Sequence, residues 1–391
     1  MSTLTYRTAG ESHGPALISL IEGMPSGVPI DQTFIDGELH RRQGGYGRGA
    51  RQRIESDRAQ FLSGIRGGHT IGSPIAIQIA NADARLDDAE KSPPVFRPRP
   101  GHADLAGSIK WLTTDCRATL ERASARETAA RTAAGAVAQS LLREFAIECF
   151  GFVRGSLATM SPVEVTRENL SQLRARRDAS EVYCPDEQAS AAIVAAIHQA
   201  KIDKDTVGGI CEVVVFGVVP GLGSCASGDL RLDTRLAAAV MGIQAFKGVE
   251  IGLGMEVARR TGSQVHDPIC YDGTKRAESS LGFVRPSNNA GGIEGGMSNG
   301  MPIVVRGAMK PISTLLRGLP SVDLRTRETA QSQYERSDIC AIAAASVVMQ
   351  SVVAFEIARA LCEKFAGDSL VEMRANYEGY LAAARAIGES R

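Results

Sequence analysis

The sequence predicts an α+β fold in which central Ala-rich helices lie between outer antiparallel sheets, and three observations carry that prediction. Small side chains of high helix propensity dominate residues 121–138, 232–248 and 335–361. Short β-branched and apolar runs, too short for helices, recur between turn-forming clusters. The first and third Ala-rich stretches share a design, a charged or capped entry leading into a buried helix, which points to an internal pseudo-two-fold duplication.

At the N-terminal end, residues 6–9 and 16–22 read as strands interrupted by GESHG at residues 10–14. Its flanking glycines turn the chain around Glu11, Ser12 and His13. A histidine so held either faces whatever fills the concavity or merely bonds to backbone. Residues 31–42 form a helix capped by Asp31 and ending in basic side chains. It runs into RRQGGYGRGARQR, where Arg41, Arg42, Arg48, Arg51 and Arg53 crowd among glycines that keep the backbone loose. Forked guanidinium donors suit carboxylates and phosphates, so the segment reads as a mobile anion-binding loop. RNA binding is the competing reading, weakened by Glu55 and Asp57 following at once.

Residues 60–65 and 75–80 are strand-like. Pro98 and Pro100 then stiffen the approach to Gly101 and His102, with Arg97 and Arg99 adjacent. Two histidines on Gly-flanked loops, each near arginines, suggest proton transfer to or from an anion. In the stretch 121–138, Arg122 and Arg126 stand four residues apart and so share a helix face with Ser124 and Thr128, suited to a planar anionic guest. The alternative is a solvent-facing stripe in which Glu121 and Glu127 form ordinary helix pairs.

Residues 166–205 read as a peripheral helical segment, with helices over 169–177 and 187–199, on a single catalytic domain spanning 1–391. A buried strand and turn occupy 211–223, a second small-residue helix 232–248, and another strand 302–307. SNNAGGIEGGMSNG at 287–300 lacks the strand-to-helix context of a dinucleotide fingerprint and has no P-loop lysine. In the helix at 335–361, Ser337 or Asp338 is the natural N-cap.

Lys plus Arg equals Asp plus Glu at 44 each, so no net field recruits nucleic acid or an anionic membrane. The eight cysteines show neither C-x-x-C nor a Cys/His metal spacing. No apolar leader opens the chain, and the uncharged run 339–355 fits a buried core helix better than a membrane span. A cytoplasmic protein without nucleic-acid or membrane partners is expected.

Taken in order, GESHGPALISLIEG, RRQGGYGRG, GSPIAIQIANAD, RPRPGHADLAG, ERASARETAARTAAG, QAFKGVEIG, GGIEGGMSNG, MKPIST and RSDICAIAAASVVMQSVVAFE resemble the motifs of the chorismate synthase family nearly end to end. Departures are local: Trp111 stands where the family usually has tyrosine, and Cys116 where a branched apolar residue is common. The resemblance implies a β-α-β sandwich, a homotetramer, and 1,4-anti elimination of phosphate from 5-enolpyruvylshikimate 3-phosphate to give chorismate. It implies reduced FMN as cofactor, supplied by an external flavin reductase or by an intrinsic NADP-linked activity. By similarity, His13 holds the protonation state of the flavin, His102 protonates the departing phosphate, and Asp338 assists removal of the ring proton. Arg42, Arg48, Arg126 and Arg336 would bind substrate. Arg122, Ala123, Ser124, Gln244, Ala245, Gly295, Lys310, Pro311, Ile312, Ser313, Thr314 and Arg336 would bind FMN. No metal is implied.

Overall fold

A computed structural model describes residues 3–49, 56–335 and 337–388. Arg51, Arg53 and Arg336 therefore lie outside the described residues. In chain order the first half holds β1 (Thr5–Ala9), β2 (Ala16–Glu22), α1 (Gln32–Gln43), β3 (Gln60–Phe61), β4 (Ile75–Ala80), α2 (Asp104–Lys110), α3 (Arg117–Arg122) and α4 (Thr128–Arg143). The second holds β5 (Glu148–Ser156), β6 (Thr159–Met160), α5 (Leu170–Ala179), α6 (Glu187–Ile202), β7 (Gly209–Phe216), α7 (Leu232–Met241), β8 (Phe246–Ile251), β9 (Ile303–Met309), α8 (Ile342–Phe365) and α9 (Leu370–Arg385).

Helices and antiparallel sheets are thus mixed in an α+β fold. The first sheet has the order β1-β2-β4-β3, and the second β8-β9-β7-β5-β6. Alternation sets the inner face of the first: Leu17, Ser19 and Ile21 on β2 and Ile75, Ile77 and Ile79 on β4 are buried, against α4. Strand β7 instead has no exposed face. Cys211, Val213 and Val215 join the main core with α8, while Val214 and Phe216 pack with Phe150, Phe152, Leu170 and Leu173 beneath α5.

Helix α4 packs directly on α8, and every residue of α4 except Arg131 and Arg143 is buried. Small side chains permit this approach. At Gly135 an added Cβ would lie 2.4 Å from both the Cβ and the carbonyl oxygen of Ser351. Gly135→Ala should therefore destabilise the fold by roughly 1–3 kcal/mol through overpacking, although alanine is the better helix former. Urea unfolding reads this, and an unchanged or raised midpoint would show that the helices can separate at no cost. Helix α8 is long and apolar enough to cross a membrane, but 89% of its apolar window is buried inside the fold.

Three expected helices are shorter than their composition suggests. The stretch 121–138 is broken: α3 ends at Arg122, Ser124 is extended at ψ 141° and its hydroxyl accepts from the Arg126 N–H, and a 3₁₀ turn precedes α4. A serine that bonds to nearby backbone competes with helix. Arg122 and Arg126 consequently do not share a helix face. The stretch 232–248 stops at Met241 because buried Phe246 enters the second sheet opposite Met309, with Ala245 at φ +69° in the turn between. The third begins only at Ile342, so neither Ser337 nor Asp338 caps it. There the Ile339 and Cys340 N–H groups donate to the Gly47 carbonyl, tying the entry to the Arg/Gly segment. Asp31 does cap α1, accepting from Thr33 and Phe34.

Candidate active site

The loop between β1 and β2 presents His13, which stands on a buried carboxylate. Glu121, at the end of α3, accepts from the His13 backbone N–H at 2.9 Å and meets Nδ1 with both oxygens, at 2.9 and 3.0 Å. Burial pushes Glu121 up, but the bonds and charge of His13, helped by Arg117, hold it below the ordinary carboxylate range. Nε2 of His13 faces Arg85 at 3.3 Å and Asp83 at 3.6 Å. Sequence spacing offered Glu121 only as a helix partner for arginine. Its pairing to a residue 108 positions away is a product of the fold.

His102 has the same kind of support. Its Nδ1 lies in short contact with Oδ1 of Asp104, whose side chain is fully buried. Arg99 binds that carboxylate through its backbone N–H (3.0 Å) and Nε (2.8 Å) to Oδ2 and through Nη2 (3.1 Å) to Oδ1, and Nη1 donates to Thr314 Oγ1 at 3.1 Å. Asp104 was absent from the expected site. The signal was its place two residues after His102.

The substrate arginines are not displayed on a loose loop. Arg42 and Arg126 are 4% and 7% exposed, and both face the carboxylate of Asp57, at 3.5 and 2.7 Å. Arg42 also donates to Thr128 Oγ1 and the Ala125 carbonyl. Arg126 donates to Asn81 Oδ1, while Asn81 Nδ2 donates to the carbonyls of Glu11 and Gly14, joining the arginines to the His13 loop. Arg48 pairs with Asp338 at 3.3 Å, and Asp338 accepts from the Gly49 N–H at 2.7 Å. The expected looseness of this segment is corrected for its described residues, 41–49. Cβ atoms at Gly45 and Gly47 would come within 2.5 Å of Ala343 and 2.8 Å of Ile197, so glycine here permits close packing.

Burial brings Arg42 down to about 9. Asp57 and Asp338 oppose that shift, while Arg126 and Arg48 add to it. The group stays cationic at neutral pH while buried, a setting in which an anionic guest is held strongly. Asp57 is the second group that sequence reasoning passed over, noted only as an acid after a basic run. Buried arginines require such a counter-ion.

Several expected flavin contacts connect the two histidines. Arg122 donates to the carbonyls of Thr8 and Gly10, Thr8 donates to Glu127, and Gln244 Nε2 donates to Glu127 at 2.9 Å. Lys310 N–H reaches the Ala245 carbonyl, and its Nζ donates to the Gly101 carbonyl beside His102. Burial and the charge of Lys247 lower the pKa of Lys310. The buried Oε1 of Gln244 has no hydrogen-bond partner among the described residues, an acceptor suited to a guest's N–H or O–H. Ser124 caps the turn at Arg126, next to Ala123, and Ser313 approaches Gly101. Gly295, in the turn between Glu294 and Met297, shares no hydrogen bond with this set and has open space where a Cβ would stand. A separate cavity of about 530 Å³, lined by Met24, Ile71, Cys362 and Asp368 among others, contains none of these residues.

The family model described as chorismate synthase matches residues 4–362. The chain belongs to the chorismate synthase family. It is 52% identical to the chorismate synthase of Desulforudis audaxviator, covering 98% of each chain, and 52% identical to that of Geobacter sulfurreducens, covering 98% of this chain and 100% of the relative. A solved structure titled as a crystal structure of chorismate synthase matches with a TM-score of 0.80 at 39% identity, covering 98% of this chain and 99% of that one. The activity is that of a chorismate synthase, a carbon–oxygen lyase of aromatic biosynthesis that releases phosphate as chorismate forms.

Proposed function

We propose that the cluster of Arg42, Arg48 and Arg126, with Asp57 and Asp338, binds 5-enolpyruvylshikimate 3-phosphate against a reduced flavin, FMN. The observation that carries this reading is the hydrogen-bonded continuity from the buried arginines through Asn81 to the His13 loop. A phosphate and two carboxylates match the forked donors of these guanidinium groups. Burial of the guanidinium groups favours a small anion over a polymer.

In this reading the arginines hold the anionic groups and exclude water, so that each interaction strengthens in a dry site. His13, anchored by Glu121, sets the protonation state beside the cofactor. His102 gives a proton to the departing phosphate, and Asp338 assists removal of the ring proton. Imidazole suits both tasks because its unperturbed pKa of about 6.5 is near working pH. FMN would be held by Arg122, Ala123, Ser124, Gln244, Ala245, Gly295 and the run from Lys310 through Pro311, Ile312 and Ser313 to Thr314, with Arg336. Gln244 Oε1 and the Lys310 and Lys247 ammonium groups fit its polar edge and phosphate. When bound, the flavin supplies transient electron donation to the allylic system, without net redox change.

The same reading takes the protein as a cytoplasmic homotetramer served by an external flavin reductase. It takes the fold as a β-α-β sandwich with internal duplication, supported by α4 facing the first sheet, α8 the second, and the two helices each other.

An anaerobic assay with the substrate and dithionite-reduced FMN tests the proposal. Chorismate and phosphate should appear in equal amounts. Absence of phosphate release, with stoichiometric oxidation of NAD(P)H supplied in a parallel assay with oxidised FMN, would point to a flavin reductase instead. Asp338→Ala should lower turnover at least about tenfold with little effect on the melting temperature; the opposite pattern would make it an anchor for Arg48 and Gly49 only.

A further inference from the structure

The geometry assigns Asp104 as the positioning residue of His102, fixing Nδ1 as the permanently protonated ring nitrogen so that Nε2 alone faces the reaction. The inference deepens the proposed acid role of His102 and rests on it for its catalytic consequence. Its structural half stands on the hydrogen bonds alone.

Three N–H groups of Arg99 donate to Asp104, the pairing of an ionised carboxylate; burial pushes its carboxyl up, but His102 and Arg99 hold it well below the usual range. An ionised carboxylate only accepts, so the Nδ1 contact requires a proton on Nδ1. Arg99 Nη2 also lies 3.1 Å from that nitrogen, but a protonated Nδ1 has no lone pair to receive it. Nη2 therefore serves Oδ1 of Asp104. Among the described residues the carboxylate has these four donors, and Nε2 has only a long 3.5 Å contact to Arg99. Around the imidazole stand Asp104 and Arg99, with Lys310 donating to Gly101 one residue away. Cys116 contacts Ser108 on α2 behind Asp104.

In the step, the Nε2 proton of the imidazolium passes to the phosphate oxygen, which takes the electron pair of the breaking C–O bond. His102 is left neutral with its proton on Nδ1, and Asp104 stays ionised throughout. An Asn at 104 would reverse the tautomer. Two Arg99 donors point at Oδ2, which forces the amide oxygen to that side and turns the amide NH₂ toward Nδ1. The neutral ring would then accept at Nδ1 and carry its proton on Nε2, and the imidazolium would face a donor in place of an acceptor.

The test is ¹⁵N NMR of histidine-labelled protein titrated with pH, the His102 signals assigned by their loss in His102→Ala. The wild-type neutral ring should show the Nδ1–H tautomer, and Asp104→Asn the Nε2–H tautomer. In the flavin-dependent assay, Asp104→Asn should lower kcat at least about tenfold, change KM by less than about threefold, and move the alkaline limb of the kcat profile to lower pH. An Nε2–H tautomer in the wild-type protein overturns the inference even if the variant does not fold. So does an Asp104→Asn enzyme with unchanged kcat and pH profile while His102→Ala is impaired. Full activity in His102→Ala would instead remove the acid role, leaving the tautomer to be decided by the spectrum.

Discussion

Alanine in place of His102 is expected to lower turnover by about 10²–10⁴-fold, the range a positioned acid or base contributes. The side chain is partly exposed at 19% and supports no core packing, so the melting temperature should change little. His13→Ala should lose at least about tenfold on the same grounds. The two losses should differ in kind. His13 touches Arg85 and Asp83 as well as Glu121, so its variant should disturb the neighbouring loop more. Chorismate formation followed anaerobically reads both, and full activity in either variant would remove that imidazole from the mechanism.

The second large effect is expected at a residue that touches neither histidine. Asp57→Ala removes the carboxylate faced by Arg42 and Arg126, and breaking a buried ion pair in this way costs about 3–5 kcal/mol. Urea unfolding at neutral pH should show that loss, together with a raised KM. Inorganic phosphate should recover more stability in the variant than in the wild type, because a ligand that binds only the folded state stabilises it by mass action. A loss below about 1 kcal/mol would mean that the backbone and Thr128 contacts of Arg42 already suffice.

Most local elements were legible because their signals are local. Asp31 caps α1 as its position at the head of the basic-ended helix implied, and the stretches 16–22 and 75–80, read as strands, form β2 and β4. The family resemblance, too, lies in ordered motifs of the primary sequence and needs no coordinates. Helix ends were misread where distant partners decided them. The entry to α8 is set by the Gly47 carbonyl, nearly 300 residues earlier, and the break at Ser124 lets Arg126 turn into a buried site shared with Asp57 and Asn81.

The order of motifs, the helix-forming composition and the placing of two histidines on Gly-flanked loops were determined by the sequence itself. Only the tertiary structure decided what each imidazole leans on and which carboxylate balances the arginines. The physical reason is that propensity and periodicity act over a few neighbouring residues. A buried charge instead takes whichever counter-ion the fold carries to within about 3 Å, however far away it lies along the chain.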